Sequence, residues 1–294
     1  MARAVRLGWW KGVVLLAVGA IGIAMLMAFA LAPVETAGPC TVAAGPTKVP
    51  ELPEASGLAI GRRTPGMIWS HNDSGNAEVL FALDTTGHTR GGVRVPLRMR
   101  DWEDVSAARC ELGPCLYLAD IGDNGLERRR IQIARVPEPA PNDAVTAPPE
   151  VFHATYSDGR HNAEAMFVIG ADMFIITRDR TAGVYRGVRT DDDPHAVTFQ
   201  RIGALGLEAV TDAEATPDEQ SVVVRTSGEV LLYRTADVMS GGRRPYRRIP
   251  ISGLREPQGE GVALDNDGTL YLASEGRSWS RGGTFMKLRC KLEK

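Results

Sequence analysis

Histidine and cysteine are scarce in this sequence, at 5 and 4 of 294 residues, and aromatic residues make up only 6%. Long helical periodicity is missing beyond residue 37. No Gly-x-Ser-x-Gly elbow, Walker loop, dinucleotide fingerprint or His-Glu-x-x-His is present, which removes the usual serine-hydrolase, nucleotide and zinc-protease chemistries. The histidines, at 71, 88, 153, 161 and 195, do not recur in register, so an imidazole metal centre is disfavoured. Lysine is rare too, 5 against 29 arginines, and the arginines do not cluster, which fits codon bias. With a formal net charge of −2 there is no basic face for nucleic acid. What remains is ordinary globular composition, 44% hydrophobic and 24% charged, which excludes disorder, collagen and coiled coil.

Residues 12–32, Gly12 to Ala32, carry no charge over 21 positions. At about 1.5 Å per residue they span a hydrocarbon core of about 30 Å. Arg3, Arg6 and Lys11 precede the run, and no basic residue follows until Lys48. The positive-inside rule then predicts a cytoplasmic basic segment (1–11), a single-pass membrane anchor (12–32), a linker (33–39) and an extracytoplasmic domain (40–294). Trp9 and Trp10 fit the interfacial belt. The alternative is a cleaved signal peptide ending at Ala30-Leu31-Ala32, and hence a secreted protein; the length of the run and Pro33 speak against it. Pro39 before Cys40 spoils a lipobox. All four cysteines are on the exported side, where an even count reads as two disulfides. Of three pairings, Cys110–Cys115 and Cys40–Cys290 are favoured; four buried thiols are the alternative.

The exported part repeats itself. Glu260–Glu275 aligns without a gap on Thr211–Thr226, 49 residues upstream, and again on Glu164–Asp179, a further 47 upstream. Earlier copies open at Glu103 and Ser56. The copy at Glu103 needs three extra residues, placed in the Cys110–Cys115 loop. Each unit reads strand, tight turn, strand, with turn chemistry such as Asp265-Asn-Asp-Gly268. Third strands follow at Val79–Leu83, Ile131–Val136, Val184–Arg186, Val230–Tyr233 and Thr284–Leu288. Fourth strands follow units at, for example, Val151–Tyr156 and Thr198–Arg201. Four antiparallel strands per roughly 50 residues is a propeller blade. The last unit runs out of chain after three strands, and Cys40–Val49 is free to supply the fourth. The expected fold is all-β, a five-bladed β-propeller, with six blades as the alternative.

Trp69-Ser-His-Asn-Asp-Ser-Gly75, Asp101-Trp-Glu-Asp104, Asp120-Ile-Gly-Asp-Asn124 and Gln258-Gly-Glu-Gly261 resemble an exported bacterial β-propeller family without an assigned activity. That family is distantly similar to the regucalcin/gluconolactonase and phytase-like propellers. The resemblance covers about residues 50–290. Regucalcin-type propellers have six blades and a central divalent metal held by acidic and amide side chains.

The repeat alignment predicts two rings of residues at one channel mouth. Ser56, Glu103, Glu164, Thr211 and Glu260 open the inner strands. Ser70, Asp120, Arg178, Arg225 and Ser274 end their neighbours, followed by His71 and Glu275 among others. The His71–Gly75 loop, with Asp73, should overhang the same mouth. Glu103, Glu164 and Glu260 converging on one axis suit Ca²⁺ or Mg²⁺, which take hard oxygen ligands. The alternative is that they pair with Arg178 and Arg225 and tie blades together. Asp120-Ile-Gly-Asp-Asn-Gly125 lacks the spacing of an EF-hand loop and reads as a turn. Two functions follow. One is a membrane-tethered binding module that takes a small molecule or envelope partner at the mouth. The other is a divalent-metal-assisted hydrolase of a lactone or phosphoester, with Asp120 or His71 as proton acceptor.

Overall fold

Short runs of β-branched and aromatic residues, broken by Gly, Pro, Asn and Asp, leave the chain no helix-length apolar stripe. The structure, a computed structural model, describes residues 36–189, 192–254, 256–276 and 282–292. The expected anchor at 12–32 and the segment 1–11 lie outside the described residues. Among the latter no helix is long and apolar enough to cross a membrane.

The chain enters through β1 (Thr36–Ala37) and β2 (Cys40–Val49) and then lays down four-stranded antiparallel groups. The first is β3 (Ala55–Ile60), β4 (Ile68–Asn72), β5 (Val79–Leu83) and β6 (Thr89–Arg94). The second is β7 (Trp102–Cys110), β8 (Gly113–Asp120), β9 (Ile131–Pro137) and β10 (Glu150–Tyr156). The third is β11 (Ala163–Ile169), β12 (Asp172–Thr177), β13 (Gly183–Arg189) and β14 (Ala196–Ala204). The fourth is β15 (Val210–Ala215), β16 (Ser221–Thr226), β17 (Glu229–Arg234) and, after the short helix α1 (Thr235–Met239), β18 (Arg247–Pro250). The last has three late strands, β19 (Gln258–Leu264), β20 (Thr269–Glu275) and β21 (Gly283–Cys290), and takes the early β2 as its fourth.

Inner strands are buried on both faces, as in β3 and β15, and so is the neighbouring β16, because each group is covered by a neighbour on either side. Their near-continuous apolar runs are the consequence. The apolar clusters lie between successive groups. Trp69 and Leu80 pack against Val105 and Leu118, Phe152 against Met166 and Ile175, and Phe167 and Phe174 against Val222 and Leu231. Val223 and Leu232 pack against Val262 and Leu288. Leu58 and Ile68 meet Ala263 and Phe285, which closes the ring. The closure is covalent: Cys40 faces Cys290 across the β2–β21 ladder, and the two are disulfide-bonded over a sequence separation of 250. Such a crosslink removes chain entropy from the unfolded state, worth about 2–5 kcal/mol. A second disulfide joins Cys110 to Cys115. The extra residues of this repeat extend the β7–β8 hairpin rather than its loop, since Cys110 pairs directly with Gly113.

Two features were not expected. The fourth strands β10 and β14 pair with each other in parallel, from His153–Ala196 to Tyr156–Phe199, joining the second and third groups into one eight-stranded sheet. That covers two edges otherwise open to pairing. Also, every inner strand carries a register shift against its neighbour at the same place. The shifts fall between Ser56 and Ala59, Trp102 and Asp104, Ala163 and Ala165, Val210 and Asp212, and Gly259 and Val262. A bulge inserts one residue, bends the strand and re-aims side chains. The inserted residues include Glu103, Glu164 and Thr211.

Candidate functional site: an acidic channel mouth

The bulges place their side chains at one end of the channel. A cavity of about 280 Å³ opens there, lined by the carboxyls of Glu54, Asp73, Glu103, Glu164, Glu260 and Glu275, together with Ser56, Asn124, Gln258 and Arg178. Of the residues that the sequence assigns to the mouth, seven therefore meet there: Ser56, Asp73, Glu103, Glu164, Arg178, Glu260 and Glu275. Where the repeat carries a hydroxyl instead of Glu, it ties neighbouring strands. Ser56 Oγ donates to Glu103 O at 2.6 Å, and Thr211 Oγ1 to Glu260 O at 2.9 Å.

Arg178 is the only basic side chain among the described residues lining the cavity, and it is ion-paired with Glu164. The Gln258 amide donates to Glu260 at 2.7 Å and to Glu275 at 2.6 Å. The surplus of negative groups shows in their protonation. Burial, then the charges of Asp73, Glu164 and Asp101, push Glu103 up to about 10 against a weaker pull from Arg178. Burial raises Glu164 to about 7, opposed by Arg178. Burial also raises Asp73, Glu260 and Glu275. A cation held among these carboxyls would reverse such shifts.

Three candidates take other places. Arg225 does not line the mouth; it is fully buried, its Nη2 2.7 Å from Glu256, and its Nη1 donates to Gly261 O and Ala273 O. Gly259 leaves the slot for it, since a Cβ there would lie 1.8 Å from Nη2. Asp120 is buried and fully engaged. It accepts from Arg128 and Gln132 at 2.7 Å each, and from the backbone N–H groups of Arg100 and Asp101 at 3.1 and 2.9 Å. It fixes a loop instead of serving as an accessible proton acceptor. His71 is also enclosed. Its ring stacks on Trp102 at 3.9 Å and 4°, and burial holds its pKa down at about 3, so the imidazole is neutral. Nδ1 lies 2.9 Å from Asn72 O, which assigns the proton to Nδ1.

The residue after each bulge was not anticipated. Asp104 and Asp212, from the second and fourth groups, are neighbours and both fully buried. Asp104 accepts the N–H of Met166 at 2.6 Å, and Asp212 accepts those of Leu58 at 3.2 Å and Val262 at 2.5 Å. Gly57 makes the room, since a Cβ there would fall 2.7 Å from Asp104 Oδ1. Further in, Glu214 accepts from Ser106 Oγ at 2.6 Å and Ala107 N at 3.0 Å, and Arg62 donates to Ala107 O at 3.1 Å. Burial raises all three acids: Asp104 well above the carboxylate range, Asp212 to about 7 and Glu214 to about 8. The channel is thus plugged by polar groups below its mouth.

No family model and no curated protein matches the chain. Among solved structures it is similar to a glucose dehydrogenase, with 10% identity, 84% of this chain and 98% of that one covered, and a TM-score of 0.50. The fold is propeller-like. A gluconolactonase from Xanthomonas campestris matches at 10% identity, 88% and 99% coverage and a TM-score of 0.44. Hydrazine synthase from Kuenenia stuttgartiensis matches at 14% identity and a TM-score of 0.40; 79% of this chain covers 58% of that one, less than two thirds of its length. At these identities the likeness concerns the fold alone.

Proposed function

We propose that this chain is a five-bladed propeller, held at the membrane by residues 12–32 with its domain outside the cytoplasm, and that it binds a cation-dependent ligand at its channel mouth. One observation carries the reading: six carboxyls and a single guanidinium, itself paired, line one cavity among the described residues. The donors are hard oxygens, with no thiol or imidazole among them, and so fit Ca²⁺ or Mg²⁺. Five groups of four strands, closed by β2 on β21, support the blade count. The ligand completing the site is a small molecule or an envelope partner. A thermal melt of the exported domain tests the cation. We expect Ca²⁺ or Mg²⁺ to raise Tm over the chelator-treated protein, through a stabilisation of RT ln(1 + [L]/Kd), about 2.7 kcal/mol at a hundredfold excess over Kd. Identical melts in cation and chelator would reject the reading.

A second reading, the metal-assisted hydrolase of a lactone or phosphoester, is favoured by one observation. Glu103 and Glu164 line the same cavity, the first without a side-chain partner among the described residues and the second paired with Arg178, and acid–base catalysis needs two carboxyls in such different surroundings. A bound cation would supply Lewis acidity toward the carbonyl or phosphoryl oxygen. Arg178 keeps Glu164 oriented. This reading requires turnover of such a substrate; the binding module does not.

A further inference from the structure

Which carboxyls hold the cation is a separate question, and the repeat alignment points to the axis, to Glu103, Glu164 and Glu260. The side chains point elsewhere. Glu164 is taken by Arg178 and Glu260 by the Gln258 amide. Glu103 is the exception: only 5% exposed, its carboxyl accepts no hydrogen bond among the described residues, and it faces the cavity. Next to it stand Asp73 and Asp101, and one oxygen from each of the three lies within 4.8 Å of the others. Three carboxyls so close repel each other unless protons or a cation intervene.

The surroundings hold these three together. Asp73 comes from the loop after β4 and Asp101 from the loop before β7. The His71–Trp102 stack fastens those two strand ends to each other. Asp120 accepts the N–H of Asp101, and Arg128 anchors both Asp120 and the carbonyl of Gly122. Gly122 has no side chain where one would obstruct: a Cβ would lie 2.2 Å from Glu103 Oε1 and 2.4 Å from Asp101 Oδ2.

We infer that a hard divalent cation, of the Ca²⁺ class, binds between Asp73, Asp101 and Glu103, at the junction of the first and second strand groups and off the channel axis. The inference rests on the cation reading of the mouth and adds its position. Ca²⁺ accepts 6–8 oxygens in flexible geometry, so three carboxylates leave places for water or a ligand oxygen. Asp101, absent from the ring alignment, becomes a ligand, and His71 and Asp120 become positioning residues.

Calorimetric titration of CaCl₂ into chelator-treated exported domain tests this, using wild type, Asp73→Asn, Asp101→Asn, Gly122→Ala and Glu260→Gln. Wild type should bind one ion. Asp73→Asn and Asp101→Asn should each weaken binding by at least about tenfold, and by more than Glu260→Gln does. Gly122→Ala should weaken it similarly with no change of charge, which separates a built site from general acidity. A far-ultraviolet spectrum matching wild type establishes folding for each variant; Asp101 is partly exposed and its carboxyl accepts no hydrogen bond among the described residues, so Asp101→Asn should pass. If Glu260→Gln abolishes binding while both Asp variants keep it, the cation lies on the axis and the inferred position is wrong, although the mouth still binds cations. If wild type takes up no Ca²⁺, the reading of the mouth falls as well.

Discussion

Raising the pH from about 5 to about 8 in the presence of chelator should lower the melting temperature of the strand domain by roughly 5–10 °C, from a loss on the order of 2–3 kcal/mol. The cause lies in the plug. Asp104, Asp212 and Glu214 have folded pKa values above the usual carboxylate range, Asp212 at about 7 and Glu214 at about 8, chiefly through burial. The folded protein therefore binds more protons than the unfolded chain between the ordinary carboxylate pKa and these values. Stability contributed by the protonated forms is full below that window and is lost as pH rises through it. Groups facing the pair shape the slope: Arg62 opposes the shift on Glu214, while Glu103 and Glu164 above the plug titrate in the same direction. Asp212→Asn should flatten the profile, since an amide keeps an acceptor for the N–H groups of Leu58 and Val262 but does not ionise. Scanning calorimetry across the pH range reads both results. A Tm that rises with pH would mean that the pair is ionised and compensated.

Glu256→Ala should destabilise the domain by about 3–5 kcal/mol, because it strands the Arg225 guanidinium in a fully buried slot. The remaining acceptors, Gly261 O and Ala273 O, are neutral carbonyls on β19 and β20 and do not replace a charge. The double change Arg225→Met with Glu256→Leu should recover much of the loss, since an apolar pair of similar volume carries no desolvated ion. Denaturant unfolding measures both. If the single variant costs under about 1 kcal/mol, the pair is solvated and the interface between the fourth and last strand groups is looser than described.

The strand plan was readable from the sequence because each unit repeats the same strand, turn, strand pattern, and the three-strand remainder at Cys290 called for a partner at Cys40. The bulges were not readable. A bulge shows in an alignment only when some copies lack it, and here all five inner strands have one, so the alignment carried no trace of the extra residue. That residue is why Glu103 and Glu164 reach the mouth. It is also why Asp104 and Asp212, one position on, form a plug that the ring alignment passed over. The repeat alignment likewise sent Arg225 and Asp120 to the mouth, whereas Arg225 fills the slot beside Gly259 and Asp120 binds the 100–101 backbone. Asp101 lies ahead of its strand, outside the repeat frame. Its one signal was the phrase Asp101-Trp-Glu-Asp104, in which an acid stands two residues before Glu103.

The position of the cation is the most direct test of how this mouth works. Crystals of the strand domain grown with Ca²⁺ and measured for its anomalous scattering should show a single strong peak among Asp73, Asp101 and Glu103, with Arg178 still on Glu164. A peak on the channel axis between Glu164 and Glu260, or none at any of these carboxyls, would contradict it.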